Sequence, residues 1–200
     1  MSELFSIQLQ NRQQQGRDGV WLDLPTTTEQ VQAALRQIGI SSDNPQGLFI
    51  SGYFAEEEKR FAISYNMVLA SNVDELNFLA SRLETLSTGE RAELNAALQA
   101  PQSELFSIGR ITDFPENVDY YVHLPDVHGP AQLGDYYLNR SGMVDMPEEW
   151  KGGIDTAQFG RYVAQQEQGV FTEYGYLVKS GDEWQKVHEG QPVPEEYRVL

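Results

Sequence analysis

The chain has 200 residues, no cysteine and a formal net charge of −16, from 30 acidic residues against 14 basic ones. The absence of cysteine excludes disulfides, thiolate metal sites and cysteine nucleophiles, and the acidic charge disfavours binding to nucleic acid or to anionic membranes. No apolar run approaches the ~20 residues that span a bilayer, and the N-terminal stretch MSELFSIQLQNRQQQ lacks the basic start and apolar core of a signal peptide. These features predict a cytoplasmic protein.

Residues 1–70 are predicted to form an N-terminal α+β unit. Its strands are expected at 4–9, at 20–24 where Pro25 ends the run, and at 48–50. Between the second and third strands, a threonine of the run 26–28 is expected to cap a helix whose apolar residues recur at helical spacing. Gly39 stands where a helix-ending glycine belongs.

Residues 71–102 predict a helical hairpin. Asn72 is expected to cap the first helix, whose leucines recur with a period near 3.6. The run Ser87–Glu90 is expected to break the pattern and cap a second helix, which ends near Pro101.

The hexapeptide SELFSI occurs twice, at 2–7 and at 103–108. Later landmarks recur in register: Leu-Pro at 24–25 and 124–125, and a glycine after a helix at 39 and 142. Self-similarity at a fixed period is typical of repeated units. The sequence therefore predicts an α+β fold in which two related strand–strand–helix units flank the hairpin. The second, acidic unit spans 103–180, with strands at 105–108 and 120–124, and a polar tail follows at 181–200.

A search for catalytic and metal-binding motifs gives no candidate site. His123 and His128, with Asp126 between them, lack the spacing of a zinc site. No dinucleotide-binding, phosphate-binding or nucleophile-elbow motif is present, and adjacent acids such as Glu148 and Glu149 indicate a solvated surface rather than a catalytic pair. We therefore predict no enzyme activity, no metal and no cofactor.

Acidic residues are concentrated in the second half of the chain, which carries −10 against −6 for the first half. Between positions 113 and 155, nine acidic residues are opposed by two basic ones, Arg140 and Lys151. Carboxylates held at intervals on a folded surface can mimic duplex DNA, which presents one charge per ~1.7 Å. We therefore predict that a partner binds the following residues: Asp113, Glu116, Asp119, Asp126, Asp135, Asp145, Glu148, Glu149 and Asp155.

Seven short motifs follow one another along residues 20–178. They are WLDLP at 21–25, DELNFLA at 74–80, LGDYY at 133–137, ID at 154–155, FGR at 159–161, GVF at 169–171 and YGY at 174–176. Each motif is weak alone, but in this order they resemble the ArdA antirestriction family of conjugative plasmids and transposons.

The resemblance implies an elongated, acidic protein of small domains that forms a homodimer and mimics bent B-form DNA. Proteins of this kind occupy the DNA-binding groove of type I restriction–modification enzymes and so protect incoming DNA. The family has no catalytic residues. The resemblance therefore implies a competitive inhibitor that does not bind nucleic acid itself.

One alternative from another functional class remains open at this point. A non-enzymatic adaptor of a mobile element, binding a different basic protein, would use apolar patches around residues such as Trp21 and Trp150. Its affinity would be largely indifferent to salt, whereas binding through carboxylates is strongly salt-dependent.

Overall fold

The computed structural model describes residues 3–14, 18–41, 44–101 and 103–200. Its first sheet is formed by three strands in which apolar and polar residues alternate. Phe5, Ile7 and Leu9 of the central strand face the core, because alternate residues of a strand point to opposite faces. Ser2 of the first SELFSI copy lies outside the described residues. The strands are antiparallel, in the order β2-β1-β3: β1 (Phe5–Asn11), β2 (Val20–Leu24) and β3 (Leu48–Phe54).

The helix boundaries follow local capping signals. Thr27 and Gln30 form a reciprocal capping box at the start of the first helix, and Gly39 follows its end with a φ of +69°. Asn72 and Glu75 form a second capping box. In chain order the helices are α1 (Thr28–Gln37), α2 (Tyr65–Ala70), α3 (Val73–Glu84), α4 (Thr88–Gln99), α5 (Ile108–Thr112), α6 (Pro130–Asp135, continued by a π-helical turn at Tyr136–Arg140), α7 (Glu148–Lys151) and α8 (Thr156–Glu167).

The predicted strand at 105–108 is wrong, because the second SELFSI copy starts a helix. Ser107 is the N-cap of α5, and its side-chain oxygen accepts a hydrogen bond from the Arg110 backbone N–H at 3.3 Å. The Arg110 guanidinium pairs with Glu104 at 2.9 Å and lies over the Phe106 ring at 4.6 Å. The Phe-Ser-Ile end of the hexapeptide therefore begins a strand at residues 5–7 and surrounds a helix cap at residues 106–108, since a strand also needs a paired neighbour.

The second sheet is assembled differently from the first. Helices α6, α7 and α8 all stand between its first strand and the other two, so the order strand–strand–helix is not repeated. Its strands are antiparallel, in the order β4-β6-β5: β4 (Tyr121–Leu124), β5 (Val170–Thr172) and β6 (Gly175–Lys179). The α+β fold class and the strand expected at 120–124 are confirmed.

The chain divides into two compact units. The first contains Met1–Ser87, Glu104–Glu116 and Gln185–Leu200, and the second contains Thr88–Ser103 and Asn117–Trp184. This division concerns packing, and it does not test whether 1–70 and 103–180 descend from one duplicated unit, which stays a prediction. No helix within the described ranges combines the length and the apolar character needed to cross a membrane.

The C-terminal residues 185–200 are part of the first unit and pack against α3. Asp74 accepts hydrogen bonds from the backbone N–H groups of Val199, at 2.8 Å, and Leu200, at 3.0 Å. The Phe78 ring lies between His188 and Tyr197, with ring centroids 5.0 and 4.7 Å away. Polar residues that read as a tail in sequence therefore complete the core of the first unit.

Candidate partner-binding surface

Seven of the nine acidic residues predicted to bind a partner lie in the second unit, near the ends of its strands and helices. All of them are exposed except Asp135, which is half-buried. They are Asp119 before β4, Asp126 after β4, Asp135 at the end of α6, Asp145 in a loop, Glu148 and Glu149 in α7, and Asp155 before α8.

Two glycines fix the scaffold that carries part of this acidic set. A Cβ atom on Gly134 of α6 would lie 1.9 Å from the Thr156 carbonyl oxygen, and one on Gly160 of α8 would lie 1.8 Å from the Pro130 carbonyl oxygen. The two helices therefore cross in backbone contact, which only glycine permits at these positions. Because Asp135 follows Gly134 and Asp155 precedes Thr156, the crossing brings these two acidic residues into one region of the surface.

A hydrogen-bonded cluster of the buried Tyr176 with the half-buried Tyr137 and Glu167 ties α8 to the sheet. The hydroxyl groups of Tyr137 and Tyr176 both donate to the Glu167 carboxylate, the latter at 2.9 Å. Burial, as the larger cause, and the hydrogen bond to Glu167 both raise the pKa of the two tyrosines well above the ordinary range. Both hydroxyl groups therefore remain neutral donors. Leu133 and Val127 pack in the same core. The cluster therefore fixes α8, which begins directly after Asp155, against β6.

Basic neighbours compensate two of the acidic residues locally. Asp135 accepts a hydrogen bond from Asn139 at 2.8 Å and pairs with Arg140 at 2.7 Å, and these contacts, the first most strongly, lower the pKa of Asp135. Glu148 pairs with Lys151 at 2.8 Å, although its side chain remains 80% exposed. Both carboxylates are accessible, but a competing base must displace or share these partners.

Asp155 has a structural role as well as an exposed position. It is the N-cap of α8, where its carboxylate accepts a hydrogen bond from the Gln158 backbone N–H at 2.9 Å. A negative charge at a helix N-terminus is stabilised by the helix dipole. Substituting Asp155 would therefore change helix stability together with surface charge.

The structure places the other two predicted residues, Asp113 and Glu116, in the first unit. Asp113 is fully buried, and its carboxylate accepts the backbone N–H groups of His188 at 2.6 Å and Glu189 at 3.2 Å. Glu116 forms a salt bridge with Arg82. Asp113 is therefore not accessible to a partner and is removed from the predicted set, because its charge is used inside the fold.

The fold raises the pKa of Glu93, an acidic residue that the sequence does not single out. Glu93 lies in α4, and its Oε1 atom is enclosed without a hydrogen-bond partner among the described residues. Burial, together with the charges of Glu90 and Asp119, raises the pKa of Glu93 from 4.5 to about 8. The sequence signal for this burial is the position of Glu93 four residues before Ala97, which is buried. Residues four apart share a helix face, so Glu93 is expected on the buried face of α4.

Of the two histidines considered as metal ligands, one is hydrogen-bonded to the backbone and the other is exposed. His123 Nε2 donates to the Tyr174 carbonyl oxygen at 2.7 Å, and His128 is exposed in the turn before α6. Within the described part of the chain, no three or more histidine and carboxylate side chains are grouped as a metal site.

The tryptophans of the alternative hypothesis are both accessible. Trp21 is 50% exposed in the first unit, and Trp150 is 66% exposed in the second. Large exposed aromatic side chains of this kind are typical of binding surfaces.

Comparison with known proteins yields one finding. A family model described as antirestriction protein (ArdA) matches residues 15–178, which is more than three quarters of the chain. A search of curated proteins gives no match. The matched range contains the glycine crossing of α6 and α8 and ends before the C-terminal segment of the first unit.

Proposed function

Because the chain belongs to the ArdA family of antirestriction proteins, we propose that it inhibits a type I restriction–modification enzyme by DNA mimicry. The carboxylates of the second unit occupy the surface with which the enzyme binds the phosphates of DNA. The family supports the antirestriction function, and the positions of the carboxylates support the mechanism.

The observation that carries the proposal is the set of exposed carboxylates on a fixed scaffold. Asp126, Asp145 and Glu149 are exposed, and they lie in segments that flank α6 or precede α8, the two helices that cross at Gly134 and Gly160. Carboxylates that are already ordered bind without the entropic cost of ordering a flexible acidic chain. This rigidity distinguishes a mimic of duplex DNA from a merely acidic tail.

Electrostatics determine how such an inhibitor acts. The chain carries −16 and is repelled by DNA, so inhibition proceeds through the enzyme rather than through the DNA. Binding displaces the counterions of the carboxylates and of the enzyme's basic residues, and affinity therefore falls steeply with salt. No catalytic step takes place, and one inhibitor molecule occupies one binding site.

We further propose that the inhibitor forms a homodimer. We also propose that it is cytoplasmic, because an inhibitor from a conjugative element has to meet the restriction enzymes of the host. Analytical ultracentrifugation of the purified chain tests the dimer directly. A sedimentation coefficient that stays at the monomer value up to micromolar concentrations would contradict it.

The mechanism is tested by displacement of labelled DNA from a purified type I enzyme at low salt. The variant Asp126→Asn/Asp145→Asn/Glu149→Gln removes three exposed carboxylates of the second unit. We expect it to need at least about ten-fold more protein than the wild type, and its affinity to depend less steeply on salt.

A matched control removes three exposed carboxylates of the first unit, in the variant Glu57→Gln/Glu58→Gln/Glu195→Gln. It changes the net charge equally, so a general charge effect would lower inhibition by both variants to the same extent. Equal loss in the two variants would contradict the assignment of the binding surface to the second unit. Failure of the wild type to displace DNA would contradict the function itself.

The exposure of Trp21 and Trp150 favours a second candidate function, which is a non-enzymatic adaptor for another basic protein. Its contacts would be mainly apolar and therefore little affected by salt. A salt titration of any complex separates the two candidates, since the DNA mimic loses affinity steeply and the adaptor does not.

A further inference from the structure

The outer side of the first sheet carries exposed aromatic residues. Along β1 the buried Phe5, Ile7 and Leu9 alternate with polar residues that point outward. The strand register places residues of β2 and β3 beside them on the same side. We define the outer sheet face by six residues: Ser6, Gln8, Trp21, Asp23, Gly52 and Phe54.

Two aromatic rings make an apolar strip across this face. Trp21 is 50% exposed and Phe54 is 57% exposed. Trp21 pairs with Gln8, which pairs with Gly52, and a Cβ atom on Gly52 would lie 3.1 Å from the Trp21 Cη2 atom. The indole thus extends from β2 over the central strand to β3. Because residues two apart on a strand share a face, the indole ends beside the position of Phe54.

The polar residues around the strip are held by hydrogen bonds. Ser6 Oγ donates to Asp23 Oδ1 at 2.6 Å, and Ser51 Oγ donates to Gln8 Oε1 at 3.0 Å. Side chains that are already fixed lose little rotamer freedom when a partner binds. The face is therefore preorganised, in contrast to a surface of long, free charged side chains.

Charge on the face is confined to its edge. Asp23 is the single formal charge in the described strands β1, β2 and β3, although 22% of all residues in the chain are charged. Next to Phe54, a hollow of about 230 Å³ is lined by three carboxylates, those of Glu3, Asp23 and Glu56, and by one base, Lys59, which pairs with Glu56 at 3.3 Å. An uncharged aromatic centre with a charged rim is the usual anatomy of a protein-binding surface.

The acidic rim determines which occupant fits. Nucleic acid is repelled by it, and a second copy of this chain would bring its own acidic rim against the first. A basic protein surface with an apolar centre is complementary to both parts, because lysine or arginine side chains meet Glu3 and Asp23 while an apolar side chain covers the rings.

We propose that the outer sheet face is a second contact surface for the basic enzyme, in which Trp21 and Phe54 act as apolar anchors. This inference rests on the proposed function and adds a contact of another physical kind. The carboxylates of the second unit supply salt-dependent attraction, whereas the aromatic rings supply affinity that salt does not screen. Anchors of this type commonly dominate the energetics of an interface.

The test uses Phe54→Ser and Trp21→Ser in the full chain, in the DNA-displacement assay at several salt concentrations. We expect each variant to need at least about five-fold more protein than the wild type at every salt concentration, with the salt slope unchanged. The control is Phe106→Ser, which makes the same change at a phenylalanine of the first unit that is 61% exposed but lies outside the face. We expect the control to stay within about two-fold of the wild type.

Several outcomes overturn the inference. Wild-type affinity in Phe54→Ser would do so, as would an equal loss in Phe106→Ser or a reduced salt slope in the sheet variants. Thermal unfolding checks each fold, and if Trp21→Ser is unstable because its ring packs on Gly52, Phe54→Ser decides alone. A wild type that displaces no DNA would overturn the proposed function and this inference together, whereas loss of the inference alone leaves wild-type displacement intact.

Discussion

Replacing Glu93 by glutamine is expected to stabilise the protein at neutral and alkaline pH. The carboxyl of Glu93 has a pKa of about 8 in the folded chain and about 4.5 when free. At pH values between these two pKa values, the Glu93 carboxyl is ionised in the unfolded chain and neutral in the folded chain. Stability associated with Glu93 is therefore fully present below about pH 4.5 and is lost as the pH rises towards 8. Glutamine does not ionise, so Glu93→Gln removes this loss.

The size of the effect follows from the pKa difference. At about 1.4 kcal/mol per pKa unit, the raised pKa of Glu93 lowers the free energy of unfolding relative to its value at low pH. The loss is at most about 5 kcal/mol above pH 8 and about 3 kcal/mol at pH 7. Glu93 is partly buried, and solvent screening reduces these limits. We expect Glu93→Gln to raise the free energy of unfolding by about 1–2 kcal/mol at pH 8 and by much less at pH 5.

Urea unfolding at pH 5 and pH 8 measures the change, and hydrogen exchange of the α4 amides locates it. Glu183→Gln, at an exposed glutamate of the same unit, is the control and is expected to change little at either pH. A raised pKa of Glu93 would be contradicted if Glu93→Gln were no more stable than the wild type at pH 8, or if its gain in stability were the same at both pH values.

Two further substitutions test the packing of the two units. Gly160→Ala places a methyl group 1.8 Å from the Pro130 carbonyl oxygen, and we expect it to lower the free energy of unfolding by about 3 kcal/mol or more. Gly152→Ala, where nothing lies within 4 Å, should cost little, and equal melting temperatures would contradict the crossing. Asp113→Ala leaves two backbone N–H groups without their acceptor and should cost about 2–3 kcal/mol. Faster hydrogen exchange in residues 185–200 is its expected signature, and unchanged exchange would refute the role of Asp113.

Local signals in the sequence predict local structure correctly here. Thr27 and Asn72 each supply a capping side chain within three residues of the N–H that they accept, so both helix starts could be read from adjacent residues. The second SELFSI copy fails for the opposite reason. Its apolar alternation fits a strand, but the outcome depends on whether a neighbouring strand is present, and a hexapeptide carries no information about that.

The acidic residues show the same limit at the level of the site. Asp126, Asp145 and Glu149 are exposed, as their polar surroundings predict. Asp113 looks identical in sequence, but its hydrogen-bond donors come from residues 75 and 76 positions further along the chain. Glu93 stands in an amphipathic helix, and its raised pKa depends partly on Asp119, which belongs to another element. Burial of a charge is decided by distant partners.

The C-terminal segment, residues 185–200, lies outside the region of family similarity but is part of the fold of the first unit. The match to the family ends at residue 178, yet Asp74 and Asp113 both accept backbone N–H groups contributed by residues 188–200. A recombinant fragment trimmed to the matched range would leave two carboxylates without these donors and one face of Phe78 uncovered. For expression, crystallisation or domain exchange, a fragment should therefore retain residues 185–200, because a cut at the end of the family match would remove part of the first unit.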